Sequence, residues 1–203
     1  MKTIIYLVSG IFFCSVFTLK AQNSESAFNQ TAGLNVDYFM NQVDCYSALS
    51  DDLMSLNYDF GATPSIGIMY GVSKNNCDYS LSLNGYSNFD DFSRYNVSAD
   101  VVYKLISSIL DVKAGAELGW FTQSFETNDI KCAVNGFGVS PVVKVEYGFT
   151  DQIVLDVHFK CQFAYINSET TNNSVESVAS TPGYKGISPS SEMISGVSLK
   201  YKF

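Results

Sequence analysis

The stretch GVSLKYKF, Gly196–Phe203, alternates Val197, Leu199, Tyr201 and Phe203 with Ser198, Lys200 and Lys202. Successive side chains of an extended strand point to opposite sides, so a period of two marks a strand with one apolar and one polar face. A solvated tail has no need of such a row, and this one ends on an aromatic residue.

Upstream of that strand the alternation recurs with turn signals between segments, and the helical i, i+3, i+4 pattern is largely absent. Seven further segments result. The first spans about Ala27 to Met40 and sets Ala32, Leu34, Val36 and Tyr38 against Thr31, Gly33, Asn35 and Asp37; the second spans about Phe60 to Val72. Tyr79, Leu81 and Leu83 mark the third, and Tyr95 to Leu105 the fourth. Leu110 to Trp120, Phe137 to Tyr147 and Leu155 to Tyr165 give the fifth, sixth and seventh. The connections SKNNC, LISS and GFTDQ are short, whereas Asn41 to Asp59, Thr122 to Val134 and Ile166 to Ser191 are long. Tight turns at one end and long loops at the other fit an antiparallel up-and-down barrel of eight strands.

At the other end of the chain, Lys2 precedes an apolar run from Ile4 to Leu19 and a small residue, Ala21. This reads as a cleaved secretory signal peptide over 1–21, with the barrel domain over 22–203. The run is shorter than the ~20 residues of a membrane-spanning helix. Removing Lys2 and Lys20 takes the net charge from -8 to -10, which argues against nucleic acid as a partner.

Periodicity defines two faces without saying which points inward. A soluble lipocalin-like binding barrel would turn the apolar face in, and a membrane barrel would turn it out. Three features favour the membrane. Aromatic residues of the apolar face gather at strand ends: Tyr70, Tyr79, Tyr103, Tyr147, Tyr201 and Phe203 at one, Tyr38, Phe60, Tyr95, Trp120 and Tyr165 at the other. The polar face mixes Asp100, Asp111, Glu117, Glu146 and Asp156 with Arg94, Lys104, Lys113, Lys144, Lys160 and Lys200, as an enclosed lumen that must pair its charges would. It is also glycine-rich, which leaves room for large neighbours.

A last strand with aromatics at the final and third-last positions resembles the C-terminal signal of bacterial outer-membrane barrels. The resemblance implies that Val197, Leu199, Tyr201 and Phe203 are read by the barrel assembly machinery. With the leader, eight strands and alternating turns and loops, the mature chain resembles the small OmpA/OmpX-like transmembrane barrels. An all-β, eight-stranded antiparallel up-and-down transmembrane β-barrel in the outer membrane of a Gram-negative bacterium is therefore expected, with the lipid bilayer as partner.

Candidate chemistry is sparse. His158, the single histidine, shares the polar register of Asp156 and Lys160 without a recognisable nucleophile, so a polar plug residue is expected there rather than a catalyst. Small barrel lipases and acyltransferases share this architecture, but their Ser-His-acid constellation finds no match. Hairpin arithmetic about GFTDQ sets Lys144 opposite Asp156 and Val142 opposite His158. About LISS it sets Lys104 opposite Asp111, with Asp100 diagonal to Lys113.

An eight-stranded barrel is narrow enough to be packed by its own side chains, which disfavours an open pore, although a small gated pore stays among the alternatives. The loops carry Asp44, Asp51, Asp52, Asp59, Asp90, Asp91, Glu126, Asp129, Glu169 and Glu176, read as solvated charge without an ordered cation-binding pattern. No metal site and no cofactor are expected. VDCYSALSDDLMSL reads as a short amphipathic helix, and NSETTNNSVESVASTPGYKG as a flexible surface loop. A disulfide between Cys45 and Cys132 is expected because both fall in long loops at one barrel end. Function is expected in those loops, as binding of an extracellular ligand, adhesion or envelope maintenance on a rigid scaffold.

Overall fold

The computed structural model describes residues 29–40, 43–47, 54–58, 62–88, 92–126, 130–172, 180–181, 185–187 and 192–203. The expected leader lies outside them, as do the loop acids Asp51, Asp52, Asp59, Asp90, Asp91, Asp129 and Glu176. Among the described residues twelve strands run in chain order: β1 (Asn29–Met40), β2 (Val43–Ser47), β3 (Met54–Tyr58), β4 (Ala62–Lys74), β5 (Cys77–Asn88), β6 (Phe92–Ser107), β7 (Leu110–Glu126), β8 (Ile130–Gly148), β9 (Ile153–Asn172), β10 (Ser180–Thr181), β11 (Lys185–Ile187) and β12 (Glu192–Lys202). Strands β1, β4, β5, β6, β7, β8, β9 and β12 pair antiparallel in that order, and β12 returns to β1, closing a barrel of eight. Strands β10 and β11 extend the sheet on β9 beyond the loop end, and β2 pairs with β3 as a separate hairpin.

Closure fixes the shape. Paired residues followed once round, through Asn29, Ser73, Asp78, Val102, Gly115, Val142, Lys160 and Ile194, return to β1 at Phe39, ten residues further along. A stagger of that size over eight strands corresponds to a tilt of roughly 40° for ~3.3 Å per residue and ~4.8 Å between strands. The ladder between β8 and β9 skips Ser140 and Pro141, where proline has no N–H to give. At the tight-turn end Lys74 faces Cys77, and Asn75 takes a φ of 56°, a left-handed conformation that asparagine tolerates.

The structure fixes the direction of the two faces. Charged and amide side chains of the alternation point inward, with Asp37 and Asp156 wholly buried, and the large apolar ones point outward. Leu34, Ile66, Val101, Leu118, Val139, Val143 and Leu199 form exposed outer rows. Tyr79, Tyr103, Tyr147, Tyr201 and Phe203 border those rows at the turn end, and Tyr38, Tyr95, Trp120 and Tyr165 at the loop end. Tyr70 is half-buried, and Phe60 lies outside the described residues. This is the inverse of a soluble lipocalin-like barrel.

Four local expectations are corrected. The segment expected as an amphipathic helix contains the β2–β3 hairpin, with Val43 opposite Tyr58 and Ser47 opposite Met54; so short a helix would make few internal hydrogen bonds to offset its nucleation. The connection expected over Thr122–Val134 is mostly strand, since β7 runs to Glu126 and β8 starts at Ile130. Likewise β9 continues to Asn172, through residues expected to be loop. At these strand ends the alternation persists with its polarity inverted, since Phe121, Cys132, Val134 and Ile166 are buried inside while Lys131, Asn135, Asn167 and Glu169 are exposed outside.

Register is the fourth correction. Lys144 faces His158 and Glu146 faces Asp156, because Thr150 Oγ1 accepts from the backbone N–H of Gln152 (3.2 Å) and Ile153 (3.0 Å) and lengthens the turn. A β-bulge at Leu105 sets Lys104 opposite Lys113 and Ser107 opposite Asp111.

A lysine placed at Val143 or Leu199, on the outer face between the aromatic borders, is expected to destabilise the barrel by about 2–4 kcal/mol. Equilibrium urea unfolding in lipid vesicles measures it, and a smaller change would place that row outside the hydrocarbon.

Candidate functional site

The interior is assembled from the inward positions of all eight barrel strands, and its charges form three levels, the lower two joined through Asp156. Nearest the turns, Lys113 Nζ on β7 donates to Asp78 Oδ2 on β5 and to Glu146 Oε2 on β8. Lys200 Nζ on β12 donates to Glu146 Oε1 (2.5 Å) and Asp156 Oδ2 (2.7 Å). Lys104 and Asp111 pair at 2.6 Å but sit part-exposed at the rim, outside this buried set.

The middle level centres on His158. Its Nδ1 lies 3.0 Å from Asp156 Oδ1 and its Nε2 lies 2.8 Å from Asp37 Oδ1. Asp37 Oδ2 accepts from Asn84 Nδ2 (3.0 Å) and Lys160 Nζ (3.4 Å), and Lys160 also donates to Glu117 Oε2 (2.9 Å). Ser98 Oγ donates to the same Glu117 oxygen at 3.0 Å. Lys144 Nζ reaches Asp100 Oδ2 at 2.8 Å, and Ser80 Oγ donates to that oxygen at 2.6 Å. Asp100, expected beside Lys113, instead faces Glu117 in the register and is held by Lys144.

Two glycines make the cross-barrel contacts reachable. Asp37, Gly196 and His158 form one row across β1, β12 and β9, and a Cβ on Gly196 would collide with the His158 ring and the Asp37 carboxylate. The missing side chain lets histidine and aspartate meet over the strand between them. Gly67 does the same between Asn35 and Asn84, whose side chains bond at 2.7 Å.

At the loop end Arg94 on β6 closes the interior. Its Nη1 and Nη2 donate to Glu192 Oε1 (2.6 Å) and Oε2 (2.7 Å), a bidentate fork, and both reach further to Gln123 and Gln162 at 3.3 Å. The guanidinium lies over the rings of Phe39 (4.0 Å) and Phe121 (4.9 Å). Below it, Met69, Val102, Val142, Val154 and Ile194 are buried among the ion pairs. A cavity of about 120 Å³ opens at the turn end between Ser80, Lys113, Lys144, Glu146 and Lys200. Another of about 20 Å³, space for about one water, lies between Asp100, Glu117, Lys144 and Lys160.

Sequence reading had not assigned Asp37, Asp78, Glu192, Gln162, Phe39 or Phe121 to this interior set. Asp37 was already on the polar row of β1, and Phe39 and Phe121 were visible as apolar residues on polar registers. Both nitrogens of His158 face carboxylates, so neither is left to take a proton from a hydroxyl nucleophile. The expected cysteine pair lies only half within view: Cys132 is disulfide-bonded, Cys77 and Cys161 are free, and the side chain of Cys45 is outside the described residues.

These features define a small barrel of the outer-membrane type, with an ionic interior and an apolar exterior. Solved structures agree with the fold. OprG from Pseudomonas aeruginosa superposes with a TM-score of 0.61 at 9% identity, covering 89% of this chain and 98% of that one. Neisserial surface protein A gives 0.53 at 17% identity over 89% and 100%, and the N-terminal β-barrel domain of Pseudomonas aeruginosa OprF gives 0.52 at 12% over 89% and 100%. No protein-family model and no curated protein matches the sequence.

Replacing Lys160 by methionine leaves the buried carboxylate of Glu117 without a cation and takes one of three partners from Asp37, and is expected to destabilise the barrel by about 3–5 kcal/mol. Combining it with Glu117→Gln should recover part of that loss, a non-additivity read from a double-mutant cycle in vesicles. Additive losses would mean that the two residues do not share one network.

Proposed function

We propose that this protein is an integral outer-membrane barrel whose ion-paired interior is a plug and whose loop end is a cell-surface platform for binding, adhesion or envelope maintenance, not catalysis. The observation that carries this reading is the inverted distribution of side chains: ion pairs buried inside, a continuous apolar band exposed outside. Lipid is the solvent in which such a surface is stable, and a closed barrel leaves no strand edge unsatisfied in it. The leader over 1–21 would direct export, and Val197, Leu199, Tyr201 and Phe203 would present the last strand to the assembly machinery. Val197, Leu199 and Tyr201 lie on the outer face of β12 and Phe203 just after it, all outside the interior network.

The platform reading is supported by the strands that rise at the loop end. Strands β7, β8 and β9 are the three longest, and β10, β11 and the β2–β3 hairpin lie in the connections there. The hairpin lies against β9, whose Thr170 faces Cys132. We infer that Cys45 on β2 is the disulfide partner of Cys132, tying the first loop to the wall. A first loop tied covalently to the wall suits recognition, because less ordering is left to occur on binding.

The second reading, a small gated pore, draws on the cavity at the turn end, which reaches the lysines of the lower level before the Arg94 clamp closes the other end. The two readings separate in a planar bilayer. The plug predicts no steady conductance from the native barrel, and Arg94→Ala should raise conductance events while leaving the heat-modifiable gel shift of a folded barrel. A native barrel that conducts steadily would replace the plug with the pore.

Thiol labelling tests the brace. Without reduction, only Cys77 and Cys161 of the exported protein should react, with Cys45 and Cys132 joining after reduction. Labelling of Cys45 before reduction would reject the pairing. Deleting Phe203 should lower the amount of inserted barrel far more than removing an apolar loop residue, measured as surface-exposed protein; equal amounts would remove the special role of the terminal strand.

A further inference from the structure

The apolar outer band does not end at the same depth all the way round. At the end of β6 Leu105 is 61% exposed and Ile106 55%, and on the β6–β7 turn Ile109 is 83% exposed. On the β8–β9 turn Phe149 is 57% exposed, its ring edge-on to Tyr147 with centroids 5.0 Å apart. Phe203, after β12, stands edge-on to Tyr201 at 5.3 Å. Register joins these residues into one surface, for Leu110 faces Tyr147, Tyr147 faces Leu155, and Ile153 faces Tyr201.

The opposite flank has another chemistry. Strand order places the β4–β5 turn diametrically across the barrel from the β8–β9 turn, and its tip is Lys74, Asn75 and Asn76. Beside it β1 begins with Asn29 and Gln30. Tight turns favour Gly, Asn, Asp and Ser, so an isoleucine at a turn tip, with Leu105, Ile106 and Leu110 beside it, has no turn-forming reason to be there. In water such a patch would be a liability.

We propose that the β6–β7 and β8–β9 turns form a lipid-binding surface that enters the interfacial layer of the leaflet at the turn end, while the β4–β5 turn stays in water. The membrane boundary then crosses the barrel at a slant, deeper over the β6 to β12 flank. Lipid is the occupant because the patch joins the outer border directly, Phe149 and Phe203 standing edge-on to Tyr147 and Tyr201 and Leu110 and Ile153 pairing with them, while the exposed Ser107, Ser108, Thr150, Asp151 and Gln152 of the same turns reach the headgroups. The proposal rests on the outer-membrane reading, and the experiment keeps the two apart.

Trp120, the single tryptophan, sits in the loop-end border and reports on that reading by itself. The full-length barrel is placed in phosphatidylcholine vesicles whose acyl chains carry bromine near the headgroup, and tryptophan quenching is recorded. Native protein is compared with Ile109→Trp, Phe149→Trp and Asn75→Trp, each in a Trp120→Phe background. Probes at 109 and 149 should be quenched at least about threefold more than the probe at 75, with blue-shifted emission, as for aromatic side chains seated in the interface.

Equal quenching at 109, 149 and 75, with Trp120 quenched, overturns the slanted contact and leaves the membrane reading standing. An unquenched Trp120 overturns both. Blue-shifted but unquenched probes at 109 and 149 would mean that protein, such as a second copy, covers the patch, and would also overturn the proposal. Two independent turn variants keep the outcome readable if one fails to fold.

Discussion

The contact between His158 and Asp37 spans a strand, and the rest of the interior depends on the condition that makes it reachable. Register puts Gly196 between them, so an imidazole on β9 and a carboxylate on β1 meet where any side chain on β12 would separate them. From that point charge runs both ways: through Asp156 and Lys200 to Glu146, Lys113 and Asp78, and through Lys160 to Glu117. A buried charge without a partner costs several kcal/mol, so each link holds its neighbours in place. Most of the interior charge is thus one bonded object, beside which Lys144–Asp100 and Arg94–Glu192 stand as pairs.

That object and the outer band have a common origin in backbone parity. Closing eight strands with a stagger of ten residues commits every other side chain to the lumen. A lumen this narrow leaves little water to solvate what points there. Acids therefore need bases, and both need glycines, serines and asparagines around them. The same parity sends valine, leucine and tyrosine outward, and the stability of the assembly then depends on a surrounding that solvates them.

Much of this was legible in the sequence, because parity survives every local error. The strand count and the shared row of Arg94, Lys144, Asp156, His158 and Lys200 follow from a period of two, and the direction of that row from the aromatic borders, the mixed charges and the glycines. Partner assignments were not legible, and the reasons are specific. Thr150 lengthens one turn and moves the β8–β9 pairing by two residues, a shift that preserves both faces and leaves no trace in the pattern. The bulge at Leu105 is hidden in the same way, since a run of apolar residues masks the place where the row changes side. Contacts over an intervening strand, Asp37 with His158 and Asn35 with Asn84, cannot be found by pairing neighbours. The upper parts of β7, β8 and β9 look like loop in the sequence because polarity inverts there: Cys132, Val134 and Ile166 turn inward and Lys131, Asn135 and Asn167 outward, which breaks the apolar row that marks each strand below.

The strand provenance of the network also bears on the order of events as the barrel forms. Lys200 arrives with the last strand, while its two acceptors, Glu146 and Asp156, belong to strands made before it. Asp37, on the first strand, meets His158 and Lys160 only when the wall has come full circle. Until then those carboxylates and ammoniums must remain hydrated, and an open, wet half-barrel cannot yet be a tight one. Closing the seam between first and last strands and expelling the interior water are therefore a single cooperative step, which gives the nearly finished chain a reason to complete itself.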